Sequence, residues 1–438
     1  MWIKGGKVVD PVKGTVKQVD LLVENGKIAK MLPPDIFEDI GADLRIIDAS
    51  NRVIVPGLID MHVHLREPGH EYKETISTGA RAAVAGGFTS LACMPNTLPP
   101  NDSRSVTEFI LMQAERAGLA KVYPIAAITM GQKGEALTEF GDLRDAGAVG
   151  VSDDGFPVAD SEVMRRALEY ARYQGLTVIS HCEDRHLSRG GVMHEGVVST
   201  RTGLPGIPAA GEEIMVFREI SLSKLTGCPV HIAHVSTAGS VELIRRARDE
   251  GVPVTAETAP HYFSLDHNAV KGYDTKAKMN PPLRTPDDVQ AIKDGLARGI
   301  IDVIATDHAP HSNLEKDLEF DKAAFGIIGL ETALPLTLDL VRQGILGLPE
   351  AIGKLSCNAY ALLRIPRGRL IEGAQADLSI IDTECEYVLR EEDIISKSKN
   401  SPFIGKTLKG RNDLTMVGGK VVWERDAAIG HQQSRQIA

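Results

Sequence analysis

Eight short apolar runs alternate with longer stretches of helical spacing between Val53 and Thr306, and that alternation is the strongest constraint on the fold. The runs cover 53–62, 89–94, 122–128, 148–152, 177–181, 229–234, 253–257 and 302–306. Segments such as 161–173, 212–226, 240–250 and 287–298 carry apolar residues at helical intervals between them. Strand–helix alternation is the mark of a parallel sheet. Eight such units over roughly 250 to 300 residues predict an α/β fold, a closed (β/α)8 TIM barrel. An open doubly wound sheet would need a glycine-rich phosphate turn after its first strand, and none is present.

Both ends of the chain read as β-structure. Lys7-Val8-Val9, then Asp20 to Val23, then Ile28 to Leu32 are short strands, with Asn25-Gly26 as a hairpin turn. After about Ile365, Leu378 to Ile381 and the hairpin-like Met416 to Trp423 repeat that texture. The expected division is therefore 1–55 and 366–425 as two parts of one small β-sandwich, 56–365 as the barrel, and 426–438 as a polar, disordered tail. Lysine and arginine total 49 against 59 acidic residues, a net charge of −10. That balance disfavours a nucleic-acid or anionic-membrane binder. Five scattered cysteines, an N-terminus without an apolar leader and no apolar run of membrane-spanning length point to a cytoplasmic protein.

The polar residues gather at strand ends, where barrel active sites form. The first strand closes in Asp60-Met61-His62-Val63-His64-Leu65-Arg66. Residues i and i+2 on a strand share a face, so His62 and His64 can present two imidazoles to one metal. The fourth strand ends in Ser152-Asp153-Asp154-Gly155, and the fifth in His181-Cys182-Glu183-Asp184. The sixth ends in His231-Ile232-Ala233-His234, and the eighth in Thr306-Asp307-His308-Ala309-Pro310-His311. Nitrogen and oxygen donors without thiolate suit zinc. His231, Cys182 and His308 read as packed or supporting neighbours of that cluster.

With these residues, the sequence resembles the amidohydrolase superfamily, and within it the bacterial class I dihydroorotases. The motifs are Pro56-Gly57-Leu58-Ile59-Asp60 running into the histidine pair and Arg66-Glu67-Pro68-Gly69, Met94-Pro95-Asn96-Thr97, Ser152-Asp153-Asp154-Gly155, Met279-Asn280-Pro281-Pro282-Leu283-Arg284 and Ala305-Thr306-Asp307-His308. The resemblance implies a metal-dependent barrel with a sandwich built from both chain ends. It implies two zinc ions, one on His62, His64 and Asp307, the other on His181 and His234, bridged by an aspartate and a hydroxide. Asp154 is the bridge by its spacing from His181; Asp153 is the alternative, since strand neighbours face opposite ways. Hydantoinases and allantoinases usually place a carboxylated lysine there, and residues 150–154 contain no lysine.

The resemblance further implies the interconversion of N-carbamoyl-L-aspartate and L-dihydroorotate in pyrimidine synthesis, with Asp307 as general acid/base. Arg66, Asn96 and His311 would hold the substrate carboxylate, Asn280 the ring, and Phe325-Gly326 would complete the pocket, with His64 also beside the substrate. A homodimer is expected, and some relatives work in complex with aspartate transcarbamoylase. Two other readings stand beside this one: a different cyclic amidohydrolase, and a non-catalytic subunit of that transcarbamoylase. The charged segment 312–325 reads either as a mobile loop over the mouth or as a solvated connector.

Overall fold

Strands buried on both faces read as continuous apolar runs, and the eight runs become the strands of one parallel sheet. The computed structural model describes residues 1–34 and 44–425. In barrel order the strands are Leu58–Val63, Phe88–Cys93, Lys121–Ala126, Gly150–Val151, Thr177–Ser180, Val230–Ile232, Val254–Thr258 and Val303–Ile304. Each pairs with the next in sequence. The ring closes where Val63 bridges His308, with the His64 N–H donating to the His308 carbonyl at 2.9 Å. Asp60 adds a second tie, accepting the Thr306 N–H at 3.1 Å.

Eight principal helices return over the outside, from Ile76–Ala85 after the first strand to Ala333–Arg342 after the last. Their ends follow local chemistry. Thr75, Asp160, Thr237 and Thr285 accept N-terminal amides, and Ser161–Gln174 and Ala210–Thr226 stop at left-handed glycines, Gly175 and Gly227. The floor of the barrel is plugged by Tyr360, fully buried against Ile59, Met61 and Ile125, with its hydroxyl on Ser90 at 2.8 Å. No helix among the described residues is long and apolar enough to cross a membrane.

The chain ends build two further sheets. One holds Trp2–Lys4, Asp20–Glu24, Lys27–Leu32 and Ile46–Asp48; the other holds Lys7–Asp10, Thr15–Gln18, Val53–Pro56, Leu378–Val388, Thr407–Val417 and Lys420–Glu424. Ile3, Leu21, Ile28, Ile54, Leu378 and Met416 pack between them. The expected Asn25-Gly26 turn is present, with both residues at positive φ, as a tight hairpin of this type requires. The tail 426–438 lies outside the described residues.

Two readings need correction. The run 53–62 is two strands: Val53–Pro56 pairs in the sandwich with Lys7–Asp10 and Leu378–Val388, and only Leu58–Val63 enters the barrel. Apolar texture continues across the break because both halves are buried, so the sequence pattern does not show it. Nor does all of 366–425 stay in the sandwich. Between Leu378–Val388 and Thr407–Val417 the chain runs to the barrel mouth, where the Ser396 hydroxyl donates to Glu74 and the Ser398 hydroxyl to the Lys73 carbonyl at 2.7 Å.

Gly57 sits at the junction of sandwich and barrel. A Cβ there would lie 2.1 Å from Thr89 Oγ1. Gly57→Ala is therefore expected to lower unfolding stability by about 1–3 kcal/mol, the usual cost of overpacking, measured by urea denaturation of the metal-loaded protein.

Candidate metal centre and active site

His62 and His64 share a face of the first strand's end, as their spacing requires. His64 Nε2 lies 3.0 Å from Asp307 Oδ1, and His62 Nε2 lies 3.6 Å from the same oxygen. Asp154 stands opposite, with His62 Nε2 at 3.4 Å and His64 Nε2, His181 Nδ1 and His234 Nε2 each at 3.5 Å. His181 Nδ1 and His234 Nε2 face one another at 2.7 Å. Two groups of three donors are spaced to take a metal ion: His62, His64 and Asp307, and His62, Asp154 and His234.

Asp153 is directed elsewhere. Its carboxylate accepts the Ile128 N–H at 2.8 Å, the Thr129 N–H at 3.1 Å and the Thr129 hydroxyl. It organises the loop after the third strand while its neighbour enters the cluster.

Three of the four imidazoles are oriented from behind. His62 Nδ1 meets Glu257 Oε1 at 2.6 Å, His64 Nδ1 meets Asn96 Oδ1 at 2.8 Å, and His181 Nε2 meets Glu183 Oε2 at 2.9 Å. A carboxylate or amide oxygen on one ring nitrogen leaves the other bare and facing inward, the arrangement of a metal-ligating histidine. His62 Nε2 and Asp154 Oδ1 are buried and have no hydrogen-bond partner within the protein. Burying such acceptors unsatisfied costs free energy, so the donor set fits a cation.

The electrostatics agree. Burial opposes the charge on His62, but the carboxylates of Asp154, Glu257 and Asp307 hold its pKa well above the ordinary value. Burial likewise pushes Asp154 up, and His62, His181 and His234 outweigh that and hold it well below the carboxylate range. Asp307 is also lowered against the cost of burial, by the charges and hydrogen bond of His62 and His64. Three residues here hold left-handed backbone without being glycine: Arg66 (φ 65°), His234 (φ 35°) and Asp307 (φ 49°). Such conformations cost about 1–3 kcal/mol each and persist where the surroundings over-determine them.

Above the cluster is a cavity of about 180 Å3. Every site residue named from the sequence lines it except His62, which is fully buried behind. Arg66 is buried, donating to the Pro310 carbonyl at 3.1 Å and lying 3.2 Å from His311 Nε2. Burial, opposed by Asp307 and Asp154, takes its pKa down to about 10, so it stays charged. Burial and then the charges of Arg66 and Lys73 push His311 to about 2, so its ring is neutral. Lys73 Nζ approaches His311 Nδ1 at 3.4 Å. A neutral ring has a single bare nitrogen, so it can accept from only one of the two cations. Asn280 Nδ2 donates to Glu183 Oε2 at 3.3 Å. Gly326 lines the cavity with its polar groups already used: its N–H donates to the Lys278 carbonyl and its carbonyl accepts from Lys316 and Asn400.

Within 312–325, Lys316, Phe320 and Ala323 are buried, while Asn313, Leu314, Asp317, Leu318, Glu319, Asp321 and Lys322 are exposed. His231 is buried with Nδ1 on Thr255 Oγ1 and Nε2 3.4 Å from Glu257; Cys182 is packed against Ser180. Glu257 was missed by sequence reasoning. Its signal was an acidic residue closing the apolar seventh run, 253–257.

A Dihydro-orotase-like family model matches residues 51–240. A dihydroorotase of Geobacter metallireducens is 55% identical over 423 residues, covering 97% of this chain and 99% of that one. A dihydroorotase of Geobacter sulfurreducens is 56% identical with the same coverage. The chain belongs to the dihydroorotase family. Among solved structures, an L-hydantoinase (dihydropyrimidinase) from Arthrobacter aurescens superimposes with a TM-score of 0.85 at 26% identity, over 97% of this chain and 96% of that one. The barrel with its flanking sheets is thus shared with a protein named for another cyclic amide.

Glu257→Gln keeps the shape of the side chain behind His62 and removes its charge. It is expected to weaken metal binding about 10- to 100-fold, as loss of a carboxylate behind a metal ligand does, read by chelator competition.

Proposed function

We propose that the chain catalyses the reversible zinc-dependent cyclisation of N-carbamoyl-L-aspartate to L-dihydroorotate and water. The observation that carries this reading is Arg66: a buried guanidinium beside the His/Asp cluster with no carboxylate at ion-pair distance among the described residues. A buried charge without a partner is costly, and a substrate carboxylate supplies that partner in the planar two-pronged geometry a guanidinium favours. Hydantoin and allantoin carry no such group.

His62, His64 and Asp307 would hold the more buried zinc, His181 and His234 the second, with Asp154 between them. When bound, such ions lower the pKa of water to about 7 and polarise a carbonyl oxygen. The remaining work falls to side chains. Arg66, with Asn96 and His311 beside it, anchors the free carboxylate and so orients the ring. Asn280 and the Phe325-Gly326 wall bound its other side. Asp307 takes the proton of the attacking water and delivers it to the ring nitrogen, a poor leaving group until protonated. In the biosynthetic direction Asp307 removes the carbamoyl nitrogen proton, that nitrogen attacks the side-chain carboxylate, and the C–O bond breaks as one carboxylate oxygen takes the proton back from Asp307 and leaves at the level of water. The chain would act in the cytoplasm as a homodimer, alone or with aspartate transcarbamoylase.

The direct test is ring opening of L-dihydroorotate by the zinc-loaded protein, with hydantoin and allantoin as controls, without and with an aspartate transcarbamoylase. Turnover of dihydroorotate alone supports the reading. Turnover only with the partner makes the complex the working unit. Silence in both, with metal bound, overturns it in favour of the scaffold or another cyclic amide. Asp307→Asn is expected to lower kcat by about 10²- to 10⁴-fold with the fold retained, checked by circular dichroism. Arg66→Ala is expected to raise KM for both carboxylated substrates by about 10- to 100-fold, the value of a lost charge-assisted contact.

A further inference from the structure

The strap between Leu378–Val388 and Thr407–Val417 ends at the cavity wall, and one of its side chains is fully committed there. Asn400 is 2% exposed. Its Oδ1 accepts the His311 N–H at 3.1 Å, and its Nδ2 donates to the Ala309 carbonyl at 2.9 Å and the Gly326 carbonyl at 3.0 Å. Its own carbonyl accepts the Ile328 N–H at 3.1 Å. One carboxamide therefore ties together the two ends of the 309–328 segment, which carries His311, Phe325 and Gly326.

Two buried lysines close the same segment from other directions. Lys316 Nζ donates to the Ala324 carbonyl at 2.8 Å and to the Gly326 carbonyl at 3.1 Å. Lys278 Nζ donates to the Phe320 carbonyl at 2.7 Å and the Asp321 carbonyl at 3.1 Å, and lies 4.5 Å from the centre of the Phe325 ring. Neither lysine has a carboxylate at ion-pair distance among the described residues. A buried ammonium bound to carbonyls alone is an expensive device, and both lysines spend it on one stretch of main chain. Gly326 is the point of convergence, since its carbonyl takes both Asn400 and Lys316.

We propose that Asn400 is a positioning residue for ligand binding, setting His311 and Gly326 at the cavity wall jointly with Lys316, so that carboxylate affinity depends on a strap outside the barrel. The inference rests on the reading of Arg66 and His311 as the anion-binding side of the cavity. Asn400 reaches none of the proposed metal ligands by hydrogen bond, so its loss should act on binding before chemistry.

The test uses the full zinc-loaded chain and orotate, an unreactive planar carboxylate, as the probe, with its Kd read by calorimetry. Asn400→Ala and Lys316→Met are each expected to weaken orotate about tenfold, to leave metal content and kcat within about threefold of the unmodified chain, and to raise amide hydrogen exchange over 309–328 alone. Because both act through Gly326, the double variant is expected to lose less than the product of the two single effects. Should Asn400→Ala prove unstable, Lys316→Met alone makes the same claim. Unchanged exchange over 309–328, or raised exchange with unchanged Kd, overturns the inference. Arg66→Ala run in parallel separates the two readings. If it binds orotate normally, the anion site is misplaced and the inference falls with it. If it binds weakly while the Asn400 and Lys316 variants bind normally, only the positioning role falls.

Discussion

A carboxylate and four imidazoles are buried together at the mouth of the barrel. Asp154 has four ring nitrogens within 3.5 Å, and its Oδ1 finds no donor in the protein. Burying ionic groups costs several kcal/mol per group unless each is paired. Asp307 and Glu257 add two more buried carboxylates around His62. A divalent cation would resolve this concentration of acceptors, and the rest of the structure holds them converging.

The means of convergence is the barrel itself. The ligand candidates leave five strand ends, His62 and His64 sharing the first, and Arg66, His234 and Asp307 hold left-handed backbone there. Behind the first layer, Glu257, Asn96 and Glu183 each occupy one nitrogen of a histidine and thereby choose which nitrogen remains for a metal. His181 shows the consequence: Glu183 takes Nε2, so Nδ1 is the atom that faces Asp154. Carboxylates behind histidines raise their basicity as well as fixing their orientation.

The flanking sheets do more than cover a barrel end. Val53–Pro56 hands the chain directly to the strand that carries His62, so the sandwich and the metal centre share one continuous backbone. The strap that returns from the sandwich reaches Glu74, Lys73 and the 309–328 segment. The cavity wall is thus assembled from strand ends and loops around the barrel mouth, and the strap braces it from outside the barrel.

Much of this was legible beforehand. The eightfold alternation, the two β-rich ends and the strand-end residues follow from periods of 2 and 3.6, which are local properties of the chain. So does the pairing of His62 with His64 on one face. The tie between Asp153 and Asp154 was left to spacing, because alternation states only that the two diverge. The tertiary structure decided it by offering Asp153 the amides of Ile128 and Thr129, some 25 residues away in sequence. Glu257 behind His62 and Asn400 on His311 escaped for the same reason, with separations of 195 and 89 residues. The break at Gly57 escaped because an apolar run looks alike whether its neighbours are sandwich or barrel. The amino-acid sequence by itself determined which elements form and which side chains reach the strand ends. Only the closed barrel decided which of those side chains meet, because contacts across hundreds of residues depend on ring closure and leave no periodic trace in the chain.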